Sequence, residues 1–203
     1  MSDIREARLH KANVLVSKGF ASYAQSFSVS NDIRFLIKEF DYLENGQEED
    51  FSVSLAGRVM AKRVMGKIAF FTISDQEGQI QLYIDKKIIN FNLEKQKLLS
   101  FEDLKEIVDI GDWIGVYGTI KKTNKGELSI KVEKWEMLSK SLQPLPDKWH
   151  GLTDIEKRYR QRYLDLIVNP HSKNVFKIRA KCISFIRKWL DNRNFLELSL
   201  IHI

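Results

Sequence analysis

Three strands, a helical connection and two further strands follow one another within roughly 90 residues, and that order predicts a five-stranded Greek-key barrel of the OB type. Two hairpins and a change of texture carry the prediction. KIAFFTISDQEGQIQLYI, Lys67 to Ile84, holds two runs rich in β-branched and aromatic residues around the turn signal DQEG. Residues 112 to 138 repeat the pattern around Asn124, Lys125 and Gly126, and from Phe51 onward apolar and polar residues alternate. With helical segments before and after the barrel, the fold class is β-rich α+β.

The elements follow in order. Residues 4 to 19 read as an amphipathic helix in which Ile4, Leu9 and Val14 to Val16 alternate with charges, ending at Gly19. A second apolar stretch runs from Ile33 to Leu43, and the acidic NGQEED that follows reads as a linker. Residues 1–50 thus form an N-terminal helical extension, too short for a core of its own and expected to pack on its neighbour or reach a partner.

Residues 51–140 form the barrel. In its first strand Val53, Leu55, Gly57 and Val59 alternate with Ser54, Ala56, Arg58 and Met60, and Gly66 turns the chain into the first hairpin. Pairing outward from the four-residue turn sets Ile73 opposite Ile80, Phe71 opposite Leu82 and Ala69 opposite Ile84, a wholly apolar face. Ser74 then faces Gln79, Thr72 faces Gln81 and Phe70 faces Tyr83 on the other side; a one-residue slip would scramble this sorting. Residues 92 to 110 are helical in pattern, with Ser100 and Asp103 spaced as a capping pair. In the second hairpin a three-residue loop ending in Gly126 suits a type I turn closed by a bulge. Ile120 then meets Ile130 and Gly118 meets Val132 on the core side, with Glu127, Ser129 and Lys131 on the polar side. Pro144 and Pro146 open an extended linker, residues 141–171. A long helix from Ser172 to Asp191 occupies most of the final segment, 172–203, with Val175, Ile178, Cys182, Ile186, Trp189 and Leu190 near one stripe.

Composition narrows the function. The chain has 203 residues, 43% hydrophobic, and a formal charge of +6 that includes 27 acidic residues, so a polyanionic partner is favoured only weakly and any basic surface should be local. Cys182 is the single cysteine, which excludes disulfides within the chain and cysteine-based zinc sites, and it reads as a core residue. The histidines, His10, His150, His171 and His202, are scattered, so no metal site is expected. No Gly-rich phosphate loop is visible, and no run of 18 apolar residues or secretory signal appears, so the chain reads as cytoplasmic with no membrane partner.

Phe70 is the anomaly. A ring on the polar face of an OB barrel offers a stacking platform for an unpaired base. Gln81 and Glu127 can supply edge readout, and Arg58, Lys62 and Arg63 can hold phosphates. Equally, Phe70 could pack under the N-terminal segment or under the helix between the third and fourth strands. RYRQRY, Arg158 to Tyr163, alternates basic and aromatic residues and reads as an interdomain salt-bridge region rather than an RNA clamp.

AGRVMAKRVMGKIAFFTISD, GQIQLYI, GELSIKVEKWEMLSKSLQPLPDKWHGL and EKRYRQRYLDLIVNP closely resemble the N-terminal, anticodon-binding part of class II lysyl-tRNA synthetases. The resemblance covers roughly residues 4 to 198. It implies an OB domain that recognises the anticodon loop of tRNA(Lys), followed by the start of a class II catalytic domain that in the whole enzyme activates L-lysine with ATP and Mg and forms a homodimer. By motif, Phe70 in IAFFTI matches the aromatic that stacks on the middle uridine and Gln81 in IQLY the residue that reads its edge. Glu127 in GELSI and Arg63 in KRVMGK match further anticodon contacts, with Arg58 on the same strand. After NFLEL the family continues to a strand ending in proline, where this chain has SLIHI and Ile201. The ATP-binding motifs lie further on in the family, so no catalytic residue and no cofactor are expected within this chain, which reads as truncated and inactive by itself. SYAQSF, Ser22 to Phe27, also departs from the family's proline-containing turn. Two other readings stand beside the enzyme fragment: a free-standing RNA-binding module, and an adaptor whose barrel and exposed helix bind protein.

Overall fold

A computed structural model describes residues 2–93, 98–146 and 152–198. The chain divides into two compact units, Met1–Pro144 and Leu145–Ile203.

In the first unit five strands, β1 (Glu48–Met65), β2 (Ile68–Ser74), β3 (Gln79–Asp85), β4 (Trp113–Lys122) and β5 (Leu128–Ser139), close into a barrel in the order β1-β2-β3-β5-β4. All pairs are antiparallel except β3 with β5. The β2–β3 register is the one the alternation requires, from Ser74 opposite Gln79 to Ala69 opposite Ile84. Ala69, Phe71, Ile73, Ile80, Leu82 and Ile84 are all buried. Asp75 fixes the turn: its Oδ1 accepts from the amides of Glu77 and Gly78, each at 2.7 Å. In the second hairpin Gly118 meets Val132 and Ile120 meets Ile130, and Gly126 takes φ 86° where the three-residue loop needs the left-handed region. Gly118 also permits a close approach, since a Cβ there would lie 2.0 Å from the carbonyl oxygen of Lys131.

The helices of this unit are α1 (Ser2–Ser17), α2 (Ile33–Glu39), α3 (Lys86–Leu93) and α4 (Phe101–Ile107). Ser100 and Asp103 form a reciprocal capping box at α4. Of the stretch 92–110 expected to be helical, α4 covers Phe101–Ile107, while α3 begins earlier, at Lys86, and ends at Leu93; α4 ends where Val108 turns extended ahead of Gly111 at φ 103°. The acidic run is not a linker, because Glu48 to Asp50 already belong to β1, and Glu48 and Glu49 pair with β4. Ile33, Leu36, Phe40 and Leu43 join the barrel core, so the N-terminal extension does pack on its neighbour. In α1 the inward residues are Ala12 and Leu15, while Ile4, Leu9 and Val16 are exposed. Polar contacts hold that helix: Arg8 donates to the carbonyls of Ser141 and Gln143 at 2.9 and 3.0 Å, and Lys11 pairs with Asp109 at 2.6 Å. Beneath them lies a charge cluster that pattern reading did not find. Lys140 is buried with its Nζ 2.7 Å from the equally buried Asp112 and 2.6 Å from Asp109.

The second unit contains α5 (Ile155–Arg160), α6 (Arg162–Val168) and α7 (Pro170–Asp191). Two of these helices fall inside the stretch expected to be an extended linker. Two of the three arginines of RYRQRY, Arg158 and Arg162, meet within this unit on Asp165, whose side chain is fully buried, while Arg160 pairs with Glu156. Arg158 Nε donates to Asp165 at 2.9 Å, Asn169 Nδ2 at 2.6 Å and Ser172 Oγ at 3.1 Å, and Arg162 makes a further ion pair. Burial pushes the Asp165 carboxyl up, but these donors outweigh it and hold the group down at about 2. Along α7 the residues Val175, Ile178, Ile186 and Trp189 are exposed, Trp189 by 46%. Cys182 is exposed too, contrary to its expected place in a core. His150, Ile201, His202 and the middle of PLPDKWHGL lie outside the described residues. Among the described residues no helix is long and apolar enough to cross a membrane.

Candidate nucleic-acid interface

The outer face of β1–β2–β3 and the β4–β5 loop enclose a groove of about 630 Å³. Its position follows from strand alternation. Because Ala69, Phe71 and Ile73 point into the core, Phe70 and Thr72 must point out, and their β3 partners Tyr83 and Gln81 point out with them. Phe70 is half-buried and packs against Tyr83 with ring centroids 5.7 Å apart and planes inclined at 66°, an edge-on arrangement. Arg63, opposite Phe70 on β1, is exposed at the rim.

Two polar side chains, one on β3 and one in the β4–β5 loop, meet in the groove. Gln81 Nε2 donates to Glu127 Oε2 at 2.7 Å, and Gln81 Oε1 accepts from Ser129 Oγ at 2.9 Å. The amide is therefore held at both ends, in one orientation. The β4–β5 loop sets Glu127 in place, its amide bonded to Thr123 Oγ1 at 3.1 Å. Ser129, expected on the solvent side, is buried, because the parallel pairing of β5 with β3 brings it directly against Gln81.

The residues singled out from sequence divide into two groups. Phe70, Gln81, Glu127 and Arg63 all line this groove. Arg58 does not: it stands five residues before Arg63 on β1, opposite Ser74, its guanidinium donating to the carbonyl of Gly111 at 2.8 Å and lying 5.4 Å from the Trp113 ring centroid. Burial pushes its pKa down, and the Asp112 charge opposes that shift. Lys62 lines the groove, but its ammonium is turned to backbone carbonyls. Its ammonium donates to the carbonyls of Lys105 and Val108, both at 2.6 Å, and so closes the C-terminal end of α4. Both cationic groups thus donate to backbone carbonyls within the barrel unit. The alternative for Phe70, cover by a helix, is not what the geometry shows, since all the described lining residues come from β1, β2, β3, β4 and the β4–β5 loop.

Sequence reasoning missed Lys121, Lys125 and Glu48. Lys125 lies in the β4–β5 loop and Lys121 lies 4.8 Å from the Tyr83 ring centroid, both lining the groove. Lys121 was within reach of pattern reading, since Ile120 points inward. Its partner Glu48 was not, because β1–β4 pairing joins positions far apart in sequence. Glu48 accepts from Lys121 and Lys131, and these bonds hold its carboxyl below the usual range against the opposing effect of burial. A half-buried aromatic ring, a fixed amide–carboxylate pair and rim cations suit a flat base with hydrogen-bonding edges and an anionic backbone. Among the described residues no group of three or more His, Cys, Asp or Glu side chains could hold a metal ion.

Comparison with known proteins agrees with this geometry. Residues 53–138 match the family of OB-fold nucleic acid binding domains, and residues 154–200 match the class II tRNA synthetases (D, K and N). Over 198 residues, 98% of its length, the chain is 90% identical to a lysine--tRNA ligase of Prochlorococcus marinus (strain MIT 9312). It is 54% identical over the same share to a lysine--tRNA ligase of Synechococcus sp. (strain CC9902). The chain spans 39% of the length of each of these relatives.

Proposed function

We propose that this chain, a close relative of the lysine--tRNA ligases over 98% of its length, recognises the anticodon loop of a lysine tRNA through the groove on its barrel. The observation that carries the reading is the convergence of Phe70, Gln81, Glu127 and Arg63 on one surface. Phe70 stacks on the middle base of the loop and gives affinity. The fixed Gln81–Glu127 pair meets that base's edge and gives selectivity, with Arg63 at the phosphates. Arg58 belongs to the support of this surface rather than to the contact.

In the whole protein that recognition would serve the ATP- and Mg-dependent attachment of lysine to tRNA, in the cytoplasm and in a homodimer. The described residues present no donor set for the metal and no Gly-rich phosphate loop, so no step of that chemistry is assigned to them. Binding of an RNA hairpin carrying a lysine anticodon tests the reading. Phe70→Ala should cost about 1 to 3 kcal/mol of affinity with the barrel still folded. Equal affinity of wild type and variant for that hairpin would sink the assignment.

A further inference from the structure

Glu48, the first residue of β1, takes two ammonium groups at once: Oε1 is 2.6 Å from Lys121 Nζ and Oε2 is 2.5 Å from Lys131 Nζ. Barrel closure creates the arrangement. Glu48 stands opposite Lys121 across β1–β4, and Lys131 stands beside Tyr83 across β5–β3. Lys121 and Tyr83 line the groove, so the carboxylate lowers the positive charge beside Phe70, two cations and one anion in place of two cations. Arg63 and Lys125 line the same groove with no acidic partner among the described residues.

A strand with the wrong base can still bind such a surface through its phosphates alone, since those contacts carry no sequence information. Each ammonium left without a partner within a Debye length, about 10 Å at 0.1 M salt, strengthens that mode. The base-read mode gains less, because its phosphates are held where the stacked base puts them. We propose that Glu48 is a specificity-determining residue of the groove: by occupying Lys121 and Lys131 it suppresses sequence-independent attraction of single strands and leaves discrimination to Phe70 and the Gln81–Glu127 pair. This rests on the nucleic-acid reading of the groove, and deepens it.

The test uses two RNA hairpins identical except for a loop of uridines or of cytidines, titrated against the full chain at several salt concentrations. Glu48→Gln should tighten binding of the cytidine loop by about three- to tenfold at 50 mM salt, and steepen the salt slope by about 0.7 to 1.4, one to two phosphate contacts on a single strand. It should tighten the uridine loop less. Lys121→Gln should change little in the wild-type chain but remove much of the gain in the Glu48→Gln background. Circular dichroism and melting confirm that each variant is folded. If wild type separates the two loops and folded Glu48→Gln alters neither the cytidine affinity nor the slope, or weakens both loops alike, the proposal is overturned while the functional reading stands. If wild type does not separate the loops but Glu48→Gln tightens both in a Lys121-dependent way, base recognition fails and the electrostatic restraint stands.

Discussion

Phe70 and Phe71 are the same residue one peptide apart, and they belong to two different regions of the barrel. Phe71 is 1% exposed among Leu55, Ile73 and Leu82, whereas Phe70 stands half-buried on the outer face beside Tyr83. Burial of an aromatic ring stabilises the barrel in one case, and in the other the ring stays available on a polar surface. The difference teaches that residue type alone does not distinguish a core from a binding face; strand parity does.

That contrast can be broken by mutation, and the largest effect belongs to the inner face. Phe71→Ala should lower barrel stability by about 3 to 5 kcal/mol, from lost transfer energy and a cavity that the neighbours cannot fill. Chemical denaturation followed by Trp135, buried in the same core, reads this directly. A loss near that of Phe70→Ala would erase the distinction between the faces.

Lys140→Met extends the comparison to a charged interior. It leaves Asp112 buried without its ammonium partner, so a loss of about 3 kcal/mol is expected. Pairing the change with Asp112→Leu should restore part of it; a double variant no better than the single one would mean the cluster is not coupled.

The second unit has its own interior charge, and acid exposes it. Asp165 is held at about 2, below its ordinary 3.8. The stability it contributes is therefore complete above about pH 4 and lost as pH falls through the folded value, a change of about 2 kcal/mol. Asp165→Asn should flatten the acid limb of the helical signal between pH 4 and 2 while lowering stability at pH 7. An acid limb unchanged by the substitution would place the titration elsewhere.

The smallest effect on stability is expected on the outer face. Phe70→Ala removes an edge-on contact with Tyr83 from a ring that is only half-buried, so the barrel should lose about 1 kcal/mol, within the range of such ring pairs. A melting-temperature shift as large as that of Phe71→Ala would make Phe70 a structural residue and shift the case for the groove onto Gln81 and Glu127.

Much of this was legible because alternation and turn chemistry are local. Sorting by face selects one register for β2–β3, and with it the outward direction of Phe70 and Gln81. Gly126 and the capping pair Ser100–Asp103 mark their loops and caps by requirements of a few adjacent residues. The positions of Arg58 and Lys62 were not legible. Both sit on a correctly read strand, yet a long flexible side chain goes to whichever carbonyls tertiary packing leaves unpaired, here those of Gly111 and of the α4 terminus.

By itself, then, the sequence determined the strand order, the hairpin registers, the two faces of β2–β3 and the surface that carries Phe70, Gln81 and Glu127, since each depends on periodicities that act over a few residues. Only the tertiary structure decided which charges meet. The Glu48 bridge to Lys121 and Lys131, the buried Lys140–Asp112 pair and the gathering of Arg158 and Arg162 on Asp165 follow from barrel closure and helix packing. Coulomb energy depends on distance in space and on burial, and neither can be read from spacing along the chain.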